Sequence, residues 1–276
     1  MPRLKTWLTA CAMIVALSGL AAAQEPPAPG ASPRIDAIRK AGVLRVGVLA
    51  NAPWLVENTS GAGDHWSGPA WLLAKDYARL LKVRLSPVLV SHETKIPVLA
   101  ANQVDLSITA LAETPERVKV VDFVIYSNTS VCMFGLASNP KFAAAKTVDD
   151  LNKPDITIAY FVGAAEEGWV KQRFPLAKLR GVTNSGATAP LEDVMAHRAD
   201  AAPINRIPYV AMARKVKGLA ALPRANNCQD STEKAQPVGI ALDKNQPVFL
   251  AWLRAVAKTI QPQLTEDEQR VATTLK

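Results

Sequence analysis

The sequence is poor in the residues that build metal and redox centres. It has three cysteines and three histidines, with no Cys-x-x-Cys pair, no His-Glu-x-x-His and no histidine cluster. His65, His92 and His197 stand far apart and read as surface or packing residues, without the ligand spacing of a zinc site. No nucleophile–base pair stands out. No stretch reaches the ~20 predominantly apolar residues of a membrane-spanning helix. Lysine and arginine form no dense run, although 32 basic against 24 acidic residues leave a net charge of +8. A nucleic-acid partner is therefore not expected, and the excess reads as a solvated basic surface. No long internal repeat is present.

What is present begins with a leader. Arg3 and Lys5, an apolar run from Trp7 to Leu20, and Ala21-Ala22-Ala23 before Gln24 form a secretory signal peptide over residues 1–23. Cys11 lies early in the apolar run and reads as part of it, not as a lipidation site. Cleavage near Ala23 places the mature chain in the periplasm, lowers its net charge to +6, and leaves two cysteines, Cys132 and Cys228. In an oxidising compartment these either pair or remain two buried thiols. Residues 24–33, with four prolines between Glu25 and Pro33, form a spacer. The remaining length suits two lobes, at ~100–200 residues per domain.

Hydrophobic periodicity and cap residues predict an alternating α/β order. Ser32-Pro33 starts a helix that Gly42 ends, and Val43–Val48 is the first strand. A helix follows over Pro69–Leu81 with Leu73, Tyr77, Leu80 and Leu81 on one face. Val83–Val90, a short helix over Lys95–Ala101 and strand Val104–Thr109 complete a β-α-β-α-β pattern, the mark of a largely parallel sheet covered by helices. The second part predicts strands at Ile156–Tyr160, Ala201–Ile204 and Val238–Leu242. Its helical segments are Val148–Leu151, Ala164–Arg173, Pro190–His197 and Ile207–Val216. Pro247 opens a C-terminal helix, and Thr265-Glu266-Asp267-Glu268 has the form of a capping box that starts a last one.

The segment Val104–Phe123 carries the most chemistry. After the strand, Thr114 is placed as an N-cap and Pro115 as the first residue of a helix. A helix N-terminus suits an anion. Arg117 in its first turn has a planar fork that holds a carboxylate through two charge-assisted hydrogen bonds. The loop follows the carboxyl end of a strand, where open α/β sheets bind ligands. On the segment alone, a surface pair of Arg117 with Glu113 or Glu116 and a plain cap at Thr114 is the simpler reading.

A wider pattern changes that balance. Leu44-Arg45-Val46-Gly47-Val48, Gly68 before a helix, Lys95-Ile96-Pro97-Val98-Leu99, Val104-Asp105, Thr114-Pro115-Glu116-Arg117 and Asp122-Phe123 come in order. They are followed by Thr147-Val148-Asp149-Asp150-Leu151, Gly163, Asp200-Ala201 and Val238-Gly239-Ile240-Ala241 before Lys244. In this order the chain resembles the family 3 extracellular solute-binding proteins, the polar amino acid receptors of ABC transporters, over nearly all of its mature length.

The resemblance implies the type II periplasmic binding protein fold: two flavodoxin-like lobes joined by two crossing strands, with ligand held in the cleft by hinge closure. Lobe 1 would span residues 34–134 and 243–276, and lobe 2 residues 135–242, with hinge strands near 131–137 and 238–242. By position, Arg117 would bind the ligand's carboxylate, with Thr109, Ala110, Ala112 and Thr114 lining the same pocket. Asn51 and Trp54 would supply the loop and stacking platform, and Gly163, Ala164 and Ala165 would present a helix N-terminus from the second lobe. The partners implied are a small carboxylate-bearing solute and an ABC transporter permease, with the chain a monomer that needs no cofactor. Cys132 and Cys228, both near the implied crossings, are expected to form a disulfide that restrains the hinge.

Departures from the family pattern carry information too. Asn205 stands where an acidic residue would grip the ligand's ammonium, and Leu72 where an acidic residue is common. Ala164 and Ala165 replace hydroxyl residues, the aromatic usual near Asn51 is absent, and Val124, Ile125 and Tyr126 replace a serine and Pro-Tyr pair. Retention of Arg117 without the ammonium partner predicts a carboxylate ligand with a weak or absent ammonium, because burying an unpaired ammonium costs on the order of several kcal/mol. The alternatives are a periplasmic enzyme on the same fold, like the cyclohexadienyl dehydratases, with Glu166 as general acid instead of a solvated helix-start glutamate, or an accessory binding protein with a degenerate site.

Overall fold

A computed structural model of the chain describes residues 25–61, 63–183 and 189–274. The expected leader, residues 1–23, lies outside the described residues. The proline-rich segment is pinned to the first helix: Arg39 Nη1 donates to the Pro27 carbonyl at 2.9 Å and the Gly30 amide donates to Asp36 at 2.9 Å.

The first lobe grows from helix α1 (Pro33–Ala41) and strand β1 (Val43–Val48). Ser32 caps α1 by accepting from the Ile35 amide, and Gly42 ends it at φ 66°, a left-handed conformation that costs glycine nothing. A two-residue ribbon, β2 (Val56–Glu57) and β3 (Trp66–Ser67), leads into α2 (Pro69–Leu81), whose Leu73, Tyr77 and Leu81 are buried as the helical spacing predicts. Then come β4 (Arg84–Leu89), the single turn α3 (Pro97–Ala100), β5 (Leu106–Ala112) and β6 (Val121–Thr129). The chain passes to the second lobe through β7 (Val131–Leu136), α4 (Pro140–Ala144), β8 (Thr157–Phe161), α5 (Ala165–Arg173) and β9 (Lys178–Val182). It continues as α6 (Ala189–Met195), β10 (Ala202–Asn205), α7 (Arg206–Lys215) and β11 (Leu219–Leu222). It returns as β12 (Gln236–Asp243), α8 (Pro247–Thr259) and α9 (Gln261–Thr274).

The first sheet has the order β4-β1-β5-β12-β6, with β4, β1 and β5 parallel and β12 antiparallel to both neighbours. The second lobe repeats the plan. Parallel β8 and β9 join the antiparallel set β10-β7-β11 through a parallel bridge between Ile158 and Ala201. The central strands β1, β5 and β12 are mostly buried between packed layers, whereas β4, at the sheet edge, is half-buried or exposed. The C-terminal helices share that first core: Phe249, Trp252, Leu253 and Leu264 pack with Leu44, Leu73 and Tyr77, and the Tyr77 hydroxyl donates to the Leu253 carbonyl at 2.8 Å. No helix among the described residues is long and apolar enough to cross a membrane.

One local expectation of the sequence fails here. The last helix begins at Gln261, not at the Thr265 capping box. Thr265 sits one turn inside, and its hydroxyl donates back to the Gln261 carbonyl at 3.0 Å, because Ile260 and Leu264 are drawn into the core and carry the helix start upstream with them. The passages between the sheets border the hinge segments expected near 131–137 and 238–242. The chain changes sheet at Ser130, since β7 pairs wholly within the second sheet, and returns before Gln236, since β12 pairs wholly within the first. The two passages run side by side, with the Val131 amide donating to the Glu233 carbonyl at 2.8 Å.

Candidate functional site

Parallel strands point their carboxyl ends to one edge, and ligands of open α/β sheets bind beyond that edge. Here the loops after β1, β4 and β5 bring Asn51, His92, Lys95 and Arg117 to it. The turn after β8 faces them from the second lobe. The lobes touch: the His92 and Phe161 rings stack at 4.7 Å, and a Cβ added at Gly163 would lie 2.9 Å from the His92 carbonyl oxygen. Gly163, at φ 77°, is therefore fixed twice, by its backbone and by the close approach.

Arg117 lies in this contact, 8 % exposed. Its Nη1 donates to the Ala112 carbonyl of its own lobe at 2.8 Å, and its Nη2 donates to the Gly163 carbonyl of the other at 3.3 Å. The expected surface pair with Glu113 or Glu116 is not formed, and among the described residues no carboxylate lies within 4 Å of its guanidinium. Burial lowers the affinity of this guanidinium for its proton, and Glu166 and Glu116 oppose the shift. Thr114 Oγ1 accepts from the Arg117 amide at 3.3 Å, although the helical turn itself starts at Arg117 and not at Pro115. The helix expected after it is a single 3₁₀ turn, Arg117–Lys119. Strand β6 starts at Val121 and leaves room for no more, so attraction of an anion falls to the guanidinium and not to a helix dipole.

Lys95 is the residue that the sequence did not single out. It is 7 % exposed, and its Nζ lies 3.1 Å from Nδ1 of His92. Burial pushes Lys95 down to about 7, the like charge of Arg117 adds to this, and Glu166 and Glu93 oppose it. Burial and the charge of Lys95 push His92 down to about 4, so its neutral ring nitrogen accepts from the ammonium. Lys234, on the return passage, is lowered by burial and also by Arg117, while Glu166 and Glu116 raise it. Glu166, half-buried in the first turn of α5, acts electrostatically on all three cations. The signal for Lys95 was its place in the loop after a parallel strand, the same edge that carries Arg117.

The other anticipated residues divide. Ala112 contributes its carbonyl to Arg117, and Ala110 sits in the left-handed region at φ 53°, with its carbonyl 3.4 Å from Asn51 Nδ2. Strain of this kind in a non-glycine residue costs on the order of 1–3 kcal/mol and clusters at ligand sites. Thr109 is buried, its hydroxyl 3.3 Å from that of Ser107. Asn205 stands at the crossing, its side-chain oxygen accepting from the Thr129 hydroxyl at 3.2 Å. Trp54 is no stacking platform: at 0 % exposure it is a core residue, held by Nε1 donating to Ser127 at 2.9 Å, in the same apolar cluster as Val124 and Tyr126. Gly163 and Ala164 offer no free amide to a ligand. The Gly163 N–H donates to Glu167 at 2.8 Å and the Ala164 N–H to the Phe161 carbonyl at 3.2 Å. Cys132 and Cys228 are joined by a disulfide, with Cα atoms 6.0 Å apart. Both belong to the second lobe, on β7 and the turn Ala225–Cys228, so the bridge staples one lobe and does not span the hinge.

The family model of the bacterial extracellular solute-binding proteins, family 3, matches residues 44–268. The chain belongs to this family. The ancestral amino acid-binding protein AncCDT-1, described as a precursor of cyclohexadienyl dehydratase, is similar in structure to this family 3 protein. It is 26 % identical, with 89 % of this chain and 99 % of that one covered and a TM-score of 0.72. A binding component of an ABC transporter from Wolinella succinogenes, complexed with lysine, is 27 % identical over 83 % of this chain and 95 % of that one, with a TM-score of 0.69. An amino acid ABC transporter substrate-binding protein from Streptococcus pneumoniae bound to L-arginine shares the fold, with 21 % identity, 87 % and 98 % coverage and a TM-score of 0.74. No curated protein matches. The architecture is that of the type II periplasmic binding proteins.

Proposed function

We propose that this family 3 protein is the periplasmic receptor of an ABC importer, acting as a monomer. It captures a small carboxylate-bearing solute between its lobes and presents it to the membrane permease. The observation that carries this reading is Arg117: a buried guanidinium at the lobe contact that meets backbone carbonyls from both lobes and no carboxylate within 4 Å among the described residues. A carboxylate ligand would replace one or both carbonyls with charge-assisted bonds and draw the lobes together around itself. Lys95, buried at the same contact beside His92, opposes a cationic ligand, so the bound arginine and lysine of the relatives are not carried over.

A thermal-shift panel of amino acids, their keto and hydroxy acid counterparts and organic acids tests the reading. A ligand at about a hundred times its dissociation constant stabilises the native protein by ~2.7 kcal/mol. Acids without an ammonium are expected to raise Tm, and Arg117→Met to abolish the rise. A shift with amino acids alone would defeat the specificity, and no shift with any acid would defeat the receptor assignment.

A second reading, a dehydratase, is favoured by one observation: Glu166 stands in the same contact as the cations, in a chain similar to a precursor of cyclohexadienyl dehydratase. Formation of phenylpyruvate from prephenate, lost in Glu166→Gln, would establish it.

A further inference from the structure

The lobe contact holds two buried cations that no carboxylate pairs directly. Arg117 and Lys95 are both more than nine-tenths buried, and neither has a carboxylate within 4 Å among the described residues. Several other cations among the described residues are paired with carboxylates. Arg45 and Arg34 share Asp105 at 2.8 and 3.3 Å, and Arg180 and Arg198 share Asp193. Lys95 instead has a neutral imidazole, with His92 Nδ1 at 3.1 Å. That nitrogen orients the ammonium without cancelling its charge. Glu166 acts on all three cations, Glu93 also on Lys95, and Glu116 also on Arg117 and Lys234, but Lys95 and Arg117 are bonded to none of them.

We propose that Lys95 forms a second anion subsite and that the solute is a small dianion, one carboxylate on Arg117 and a further acidic group on Lys95. This rests on the receptor reading and narrows it. A monocarboxylate would satisfy Arg117 and leave Lys95 buried beside a like charge, whereas a dianion neutralises both.

The test is isothermal titration, slightly below neutral pH, of malonate, succinate and glutarate against propionate, butyrate and valerate. 3-Phosphonopropionate is included to tell a second carboxylate from a phosphonate. Wild type, Lys95→Met and Lys95→Arg are compared, each shown to be folded by circular dichroism. At least one dianion is expected to bind wild type about tenfold or more tightly than its monoanionic counterpart, the effect of one buried counter-charge. The preference should fall towards parity in Lys95→Met and be retained in Lys95→Arg. Equal affinity for mono- and dianions, or a preference undiminished in Lys95→Met, overturns the second subsite while leaving the receptor reading intact. Absence of binding by every acid, in a folded protein, overturns both.

Discussion

At the scale of the residue, two cations with similar burial do different work because their chemistry differs. The Arg117 guanidinium stays charged and, through a planar fork, meets the Ala112 and Gly163 carbonyls at once. Lys95 is a point charge on a flexible stem, and burial brings it down to about 7. The groups facing it are His92 and Glu93 from its own segment, Arg117 from the loop after β5 and Glu166 from α5. Between about pH 7 and its unfolded value of 10.5, the unfolded chain holds a proton that folded Lys95 has lost. Stability of the ligand-free protein therefore rises with pH across that window, and is flat on this account below it. Urea unfolding of wild type and Lys95→Met should show the wild type gaining on the variant by about 1 kcal/mol per pH unit above neutrality. A constant gap between the two would show that Lys95 keeps its proton.

At the scale of the element, short connections set the geometry. The turn after β5 is too brief for a helix because β6 begins at Val121, so it delivers a side chain and not a dipole. The turn after β8 owes its fit to Gly163. Gly163→Ala adds a Cβ that would lie 2.9 Å from the His92 carbonyl oxygen, and φ 77° is left-handed. The backbone costs about 1–2 kcal/mol in a residue other than glycine. The closed arrangement suffers directly, so solute affinity should fall by about tenfold, or about 1.4 kcal/mol. Small-angle scattering with saturating solute should give a larger radius of gyration than wild type. Unchanged affinity and radius would mean that the Gly163–His92 contact does not limit closure. Much of this scale was legible beforehand: Ser32, Pro33 and Gly42 bound α1 as read, and the periodicity of α2 gives its buried face. The Thr265 box was not, because a local capping signal competes with the burial of Ile260 and Leu264, which sequence alone does not weigh.

At the scale of the whole molecule, the Cys132–Cys228 bridge belongs to one lobe. It closes a loop with a sequence separation of 96 and ties β7 to the turn that follows β11. Replacing both cysteines with serine is expected to lower stability by about 2–5 kcal/mol, seen as a lower Tm. Solute affinity should change little, since neither hinge passage is tethered by the bridge. Intact mass with and without reductant under denaturing conditions checks the pairing itself; two free thiols in the untreated protein would remove it. A large loss of affinity in the serine variant would place the bridge in control of closure.

Composition and order along the chain determined the α/β class and the family, because periodicity, caps and motif order are local properties that each segment carries with it. Which lobe holds the disulfide and what faces Arg117 were decided only by packing. Trp54 shows the reason: an aromatic in a loop has the same sequence signature whether it lines a cleft or fills a core, and only the fold puts it in one apolar cluster with distant Val124 and Tyr126. Lys95 shows it again. Its burial, its lowered proton affinity and its company with Arg117 come from β4, β5 and α5 meeting at one edge, a coincidence of three distant segments that no single stretch of sequence contains.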